Sequence, residues 1–456
     1  MKKFIVLWVA MVVLIGTASA KVTLPKPEEF KLDNGMTVSV IERHQLPLFS
    51  LQLTFRAGSV YDPVGKEGLA SLASDMLMRG TKTRNAKQIA DEIAFGGGTL
   101  YNSCGFVAAG FYGEFLTNQG ENAFEILADL VRNSTFTAEE FDKTRTRTLG
   151  GIQSRRENPS TVAGDAIWEV ILGNSRYAHF TGGKSATVQG LSRDDIAQFV
   201  KGHYAPDNCI LVVCGDVTPK AVRQWITKYF GGWTGKAALE PVETSFPAVT
   251  GREVVIYDKP DASQTQIRIG GNGMSLNDPE YAALEVARTV YGGSFTSRLM
   301  DQIRVNRGLT YSVSYRSTCL KPGGVVYVST FTKNASVGEV VDIILAEASR
   351  MQTEPVSDSE LTDGASYRGG TYPLDFETND DLAGVFANMW LSGLSKSYYE
   401  DYQEQLKAVT PPQAMGVAKK YFAKDNYRLV LVGKADEIKA QAEKYGPVMV
   451  KPFSEE

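Results

Sequence analysis

Residues Gly68 to Thr81 read Gly-Leu-Ala-Ser-Leu-Ala-Ser-Asp-Met-Leu-Met-Arg-Gly-Thr. The stretch predicts the body of a helix from Glu67 to Arg79. On a helix, positions i, i+3 and i+4 share one face. Ser71, Ser74 and Asp75 stand at that spacing and project into one place. A serine hydroxyl is a poor ligand for a metal such as zinc, which takes His, Cys or carboxylate. The helix therefore gathers three polar side chains at one point without a donor set suited to a metal.

Outward from this helix the chain repeats itself. Phe30 to Arg43 predicts a hairpin around Asn34-Gly35. Leu51 to Ala57 alternates like a strand and leads into the helix. Gln264 to Gly270 followed by Glu280 to Tyr291 repeats that strand and helix. His203-Tyr204-Ala205-Pro206-Asp207-Asn208 leads into the β-rich run Cys209 to Gly215. Tyr421-Phe422-Ala423-Lys424-Asp425-Asn426 leads into Tyr427 to Gly433. Each of these follows a helix-start signal, with Ser192 and Thr410 as N-caps and Pro411 in the first turn. The repeat length is roughly 200 residues. Thr234 to Gly251, with Pro241 and Pro247 and no periodicity, has a linker's composition. We place one domain at residues 24–233, a linker at 234–251 and a second domain at 252–446. Strands mixed with long helices give an α/β (α+β) layered sandwich in each half.

The 456 residues are enough for two domains. Lys2 and Lys3, the apolar run Phe4 to Ile15 and the small-residue site Ala18-Ser19-Ala20 predict a cleaved signal peptide over residues 1–20. That run is short for a bilayer span, so no stable membrane span is expected after cleavage. No Cys follows the cut, which argues against a lipid anchor. The expected location is the periplasm of a Gram-negative-type bacterium. Loss of Lys2 and Lys3 lowers the basic count from 48 to 46 against 52 acidic residues, a net charge of −6. That balance argues against nucleic acid as a partner. Cys209 and Cys214, an odd number of residues apart on one strand, face opposite ways and are too far apart to bridge. Cys104 and Cys319 are left as the pair whose bonding is open. No metal-type cysteine spacing exists.

The ordered pieces resemble the pitrilysin/insulinase-like zinc peptidases, the inverzincins. The signature His-x-x-Glu-His of that family falls on Ser71, Ser74 and Asp75. After it come Phe95 to Ser103, like the family's Gly-Gly strand start, and Arg155-Arg156-Glu157-Asn158-Pro159, like its acidic-x-Pro helix end. Tyr204 to Asp216 follows, then Gly292-Gly293-Ser294-Phe295-Thr296-Ser297-Arg298-Leu299 and Arg304 to Val313. The likeness covers nearly the whole mature chain. It implies two homologous domains, each a mainly antiparallel sheet packed with helices, arranged as a clam shell around a peptide chamber and often paired with a second subunit.

The family's third ligand, a Glu about 76 residues beyond the second His, falls on Gly151. Both ligand His, the ligand Glu and the general base are therefore absent, and Glu67 and Glu157 do not restore the spacing. No cofactor is expected in this chain. By contrast, Arg304 and Tyr311 fall on the family's Arg/Tyr pair, which binds the substrate backbone across the chamber from the zinc. Arginine offers fixed donors to carbonyls, and a phenol can stabilise charge on a carbonyl oxygen. The pattern implies a non-catalytic, substrate-binding subunit of a heteromeric zinc metallopeptidase acting on peptides or unfolded polypeptides. A homologous partner would carry His-x-x-Glu-His and the zinc. The alternative is a scaffold or peptide-holding protein with no catalytic role; a stand-alone hydrolase with a new metal site ranks behind both.

Other motifs carry less. Gly292-Gly293-Ser294 is shorter than the glycine-rich loop of mitochondrial processing peptidase α subunits. Gly182-Gly183-Lys184-Ser185 lacks the first Gly and the spacing of a phosphate loop. Neither Ser71 nor Ser74 lies in the Gly-x-Ser-x-Gly of a serine hydrolase. His179 and His203 are expected to be structural, and Tyr398, Tyr399 and Tyr402 to be helix packing.

Overall fold

The structure is a computed structural model and describes residues 21–454; the signal-peptide assignment over residues 1–20 lies outside the described residues. Among the described residues, twelve strands form two six-stranded sheets. The first holds β1 (Glu28–Lys31), β2 (Thr37–Glu42), β3 (Leu48–Phe55), β4 (Thr99–Cys104), β5 (Ala109–Leu116) and β6 (Cys209–Gly215), in the order β1-β2-β6-β3-β5-β4. The second holds β7 (Arg252–Asp258), β8 (Gln264–Gly273), β9 (Val313–Leu320), β10 (Gly323–Lys333), β11 (Tyr427–Gly433) and β12 (Val448–Pro452), in the order β12-β7-β11-β8-β10-β9. Both are mainly antiparallel. The parallel pairs are β2 with β6 in the first sheet, and β7 with β11 and with β12 in the second. Five strands therefore correspond in order and sense. The sixth differs: the first sheet is extended by the hairpin strand β1, the second by the late strand β12.

Five helices matter for the site: α1 (Leu69–Leu77), α2 (Ala138–Arg156), α3 (Pro159–Leu172), α4 (Tyr281–Arg288) and α5 (Asn379–Ser392). Leu69, Leu72, Ala73 and Met76 recur at helical spacing and bury α1. Pro159 at the first turn and Asn158, whose Oδ1 accepts from Ser160 N and Thr161 N, end α2 and restart the chain as α3.

The two halves are clasped by exchanged helices. α3 of the first half packs across β8 and β11, and α5 of the second packs across β3 and β6. Arg268 Nη2, on β8, donates to Ser160 O at 3.1 Å and Ser160 Oγ at 2.8 Å. Gln52 Nε2 donates to Asp380 O at 3.1 Å, and the Arg56 guanidinium lies 3.7 Å over the Trp390 ring. This explains why β6 and β11 read as near-continuous apolar runs rather than alternating ones. On β6, Cys209, Leu211 and Val213 join the core under the first half's own helices, whereas Ile210, Val212 and Cys214 face the second half. Strand β11 divides the same way, Leu429 and Leu431 on one side and Val430 and Val432 on the other.

Residues 234–251 form no helix or strand, but they are docked rather than loose. Val242, Phe246 and Val249 pack on the core, and Glu243 accepts from Ser175 Oγ at 2.5 Å and Arg176 N at 2.7 Å. At the other end, Val22 and Leu24 are buried in the second half, their backbone N–H groups donating to Gln403 Oε1 and Glu400 Oε1. All four cysteines are unpaired thiols, and burial pushes Cys214 up to about 12 and Cys319 up to about 11. No helix among the described residues is long and apolar enough to cross a membrane.

Candidate functional site

Helix α1 starts without a side-chain cap of its own. Its preceding residue, Gly68, has φ of +97°, a left-handed conformation that favours glycine. Asp62 supplies the missing acceptors: Oδ2 takes Gly68 N at 2.8 Å and Oδ1 takes Ala70 N at 2.7 Å. Asp62 is buried, and desolvation outweighs those two bonds, pushing its carboxyl up to about 7. The loop at Gly182-Gly183 crosses here. A Cβ on Gly183 (φ +78°) would sit 2.1 Å from Glu67 O, so these glycines serve close backbone packing, not phosphate binding.

One turn into the helix, Ser71, Ser74 and Asp75 share the face that the sequence spacing requires. Ser74 is 1% exposed, and Asp75 keeps 35% of its side chain in solvent. Strand β4 contributes Asn102, whose Nδ2 donates to both Ser74 Oγ at 3.0 Å and Asp75 Oδ1 at 2.9 Å. Helix α2 contributes Arg147, whose Nη2 lies 3.8 Å from Asp75 Oδ2. Gly151 follows one helical turn later on α2, exposed, with nothing within 4 Å of where a Cβ would be. These residues do not fit zinc. The Ser74 hydroxyl and the Asp75 carboxylate are already engaged with the Asn102 amide, Ser71 adds only a poor hydroxyl ligand, and the positive charge of Arg147 opposes a second cation. Among the described residues, no group of three or more His, Cys, Asp or Glu could hold a metal ion. Aligning the starts of α1 and α4 sets Ser71, Ser74 and Asp75 against Ala283, Val286 and Ala287. The second half has closed this position with apolar side chains; the first has left it polar.

Arg304 and Tyr311 lie in the second half, on two segments with fixed backbones. Two π-helical turns, Thr289–Gly293 and Met300–Val305, flank the loop that carries Phe295, and Arg304 lies in the last turn of the second. Gly308, at φ +62°, closes that turn by donating to Arg304 O. The segment carrying Tyr311 is pinned to β10 by threonines: Thr332 Oγ1 donates to Leu309 O at 2.7 Å and Thr330 Oγ1 to Ser312 O at 2.8 Å. The Arg304 guanidinium carbon lies 4.8 Å from the Tyr311 ring centroid and 4.9 Å from that of Phe295. Tyr311 is 74% exposed and Phe295 66%. Neither Arg304 nor the Tyr311 hydroxyl has a hydrogen bond or ion pair to another described residue. Free donors on a rigid frame, beside exposed rings, suit recognition of an acceptor on a bound chain.

Sequence reasoning missed three residues here. Arg147 stands four before Gly151, on the same helix face, a signal that was available. Asn102 lies in the quoted Phe95-to-Ser103 motif without having been assigned a contact. Phe295 sits in the quoted glycine loop, and only the fold reveals its proximity to Arg304. The secondary candidates make local contacts. His179 Nδ1 contacts Phe180 O and His203 Nδ1 contacts Phe199 O, both at 2.9 Å. Tyr402 packs on Tyr281 and Tyr372, with ring centroids at 5.7 and 4.6 Å. A cavity of about 530 Å³ opens beside Asp62, Arg155 and Phe180, and neither the α1 serines nor Arg304 lines it.

Two family models match the chain in order: "Insulinase (Peptidase family M16)" over residues 38–181 and "Peptidase M16 inactive domain" over residues 190–365. An uncharacterized zinc protease, YmxG, of Bacillus subtilis is 22% identical over 409 residues, covering 89% of this chain and 98% of that protein. A non-peptidase homolog of the same name from Helicobacter pylori is 25% identical over 418 residues, covering 90% of this chain and 93% of its own. The crystal structure of a peptidase M16 inactive domain from Pseudomonas fluorescens superposes with a TM-score of 0.82 at 25% identity, covering 90% of this chain and 98% of that one. With the fold, the ordered motifs and both family models in agreement, the chain belongs to the insulinase family, peptidase family M16, as an inactive member.

Proposed function

We propose that this chain is the non-catalytic, substrate-binding subunit of a heteromeric zinc metallopeptidase of the periplasm, acting on peptides or unfolded polypeptides. The observation that carries this is an asymmetry. The metal face of α1 is tied up by Asn102 and Arg147, while half-buried Arg304 and exposed Tyr311 keep their donors unpaired on a rigid frame. Zinc and the general base would be supplied by a homologous subunit carrying His-x-x-Glu-His and a downstream Glu. This chain's own part is to bind and orient: Arg304 donates to backbone carbonyls, and the Tyr311 hydroxyl donates to the oxygen on which charge develops. Contacts to backbone rather than to side chains suit polypeptides without fixed structure.

The test is to tag the chain in its own cells, purify it with its companions and assay peptide cleavage. A companion bearing His-x-x-Glu-His is expected. In the purified complex, Tyr311→Phe should lower kcat on the order of a hundredfold, as loss of one such donor does elsewhere. A chain that purifies without such a companion, or a complex indifferent to both Arg304→Ala and Tyr311→Phe, would favour the scaffold role.

A further inference from the structure

We infer that Phe295 is a positioning residue that holds Arg304 for a backbone carbonyl of an unfolded polypeptide, so that Phe295, Arg304 and Tyr311 form one recognition unit. This rests on the substrate-binding role proposed above and adds a residue to it. The Arg304 guanidinium carbon lies over both rings, 4.9 Å from the Phe295 centroid and 4.8 Å from that of Tyr311. A cation–π contact consumes none of the guanidinium N–H donors, and none of them is bonded to another described residue. Phe295 has no place in either core, being 66% exposed. Its backbone is nonetheless held firmly. A Cβ on Gly293 would lie 2.9 Å from Arg288 O, so the turn admits little else. Ser297 N donates to Ser294 O, and Arg298 pairs with Glu360 through two bonds of 2.6 and 2.9 Å. A rigid turn that presents a large apolar ring to solvent, against an arginine with no hydrogen-bond or ion-pair partner among the described residues, supports restraint of that arginine by the ring. An arginine already restrained loses less side-chain freedom on binding. Removing the restraint should weaken binding roughly three- to tenfold.

The experiment measures binding of fluorescein-labelled, reduced and carboxymethylated α-lactalbumin, a permanently unfolded chain, to the full mature protein by fluorescence anisotropy. Wild type, Phe295→Leu, Phe295→Tyr, Arg304→Ala and the double variant Phe295→Leu with Arg304→Ala are compared, each checked for folding by circular dichroism. The expected result is weakening of roughly three- to tenfold in Phe295→Leu, near-recovery in Phe295→Tyr, and no further loss when Phe295→Leu is added to Arg304→Ala. Equal losses from Phe295→Leu with and without Arg304 would overturn the positioning role, because Phe295 would then act on its own. Weakening by Arg304→Ala but none by Phe295→Leu would overturn this inference and leave the substrate-binding role standing. No binding by wild type, or binding indifferent to Arg304→Ala, would defeat the substrate-binding role and this inference with it.

Discussion

Replacing Ser71 and Asp75 with His and Gly151 with Glu should give the first half a working zinc site. The structure shows that two of these changes can be accommodated. Gly151 has open space around its missing Cβ, and Gly→Glu inside a helix gains up to about 1 kcal/mol of propensity. Asp75 is one-third exposed, so losing its bonds to Asn102 and Arg147 costs about 1 kcal/mol, close to what Gly151→Glu returns. Zinc at a hundred times its Kd then stabilises the fold by about 2.7 kcal/mol. At about 2–4 °C per kcal/mol for a unit of one half's size, the melting temperature of the triple variant should rise by about 5–10 °C on adding zinc. Wild type should not respond. Arg147 stands 3.8 Å from position 75, so adding Arg147→Gln should tighten binding further. The assay is zinc stoichiometry by mass spectrometry of the desalted protein, with melting followed in the presence and absence of zinc. A folded triple variant that takes up no zinc and shows no shift would refute the reasoning, because the frame itself would then have been lost along with the ligands.

Three further outcomes follow from the packing. Asp62, with its carboxyl raised from 3.8 to about 7 in the fold, binds a proton there that the unfolded chain has already released, so stability should fall by on the order of 4 kcal/mol as pH rises from about 4 to about 7; urea unfolding across that range should show the slope in wild type and lose most of it in Asp62→Asn. Arg268→Ala should cost about 3 kcal/mol, seen as a lower urea midpoint, because it leaves Ser160 O and Thr330 O without a buried charged donor. Gly183→Ala should cost about 1–3 kcal/mol by the same measurement, since its Cβ would meet Glu67 O and its φ of +78° disfavours a side chain.

Much of this architecture is legible in local patterns. Asn34-Gly35 marks the first hairpin, and the paired runs at Cys209 to Gly215 and Tyr427 to Gly433 do become the matching strands β6 and β11. The helical spacing of Ser71, Ser74 and Asp75 puts them on one face, as the geometry of any helix demands. What the patterns withhold is long-range. The double-sided burial of β6 and β11 signals that something covers both faces, but nothing local says that α3 and α5 are exchanged to do it. The segment at 234–251 has a spacer's composition, yet Phe246 and Glu243 dock it on the first half through contacts to residues some seventy positions away. The strand predicted at Leu51 to Ala57 starts earlier, at Leu48, because its first residues pair with the end of β5, Leu48 opposite Leu116. Likewise the Phe295–Arg304 contact depends on two π-helical turns that no propensity scale anticipates.

The most direct test is to measure bound zinc and peptide cleavage in the purified mature chain, first alone and then joined to its companion. The account predicts neither metal nor proteolysis from the isolated polypeptide, with both arriving when the companion is added. One equivalent of tightly held zinc together with hydrolysis by the isolated polypeptide would contradict it.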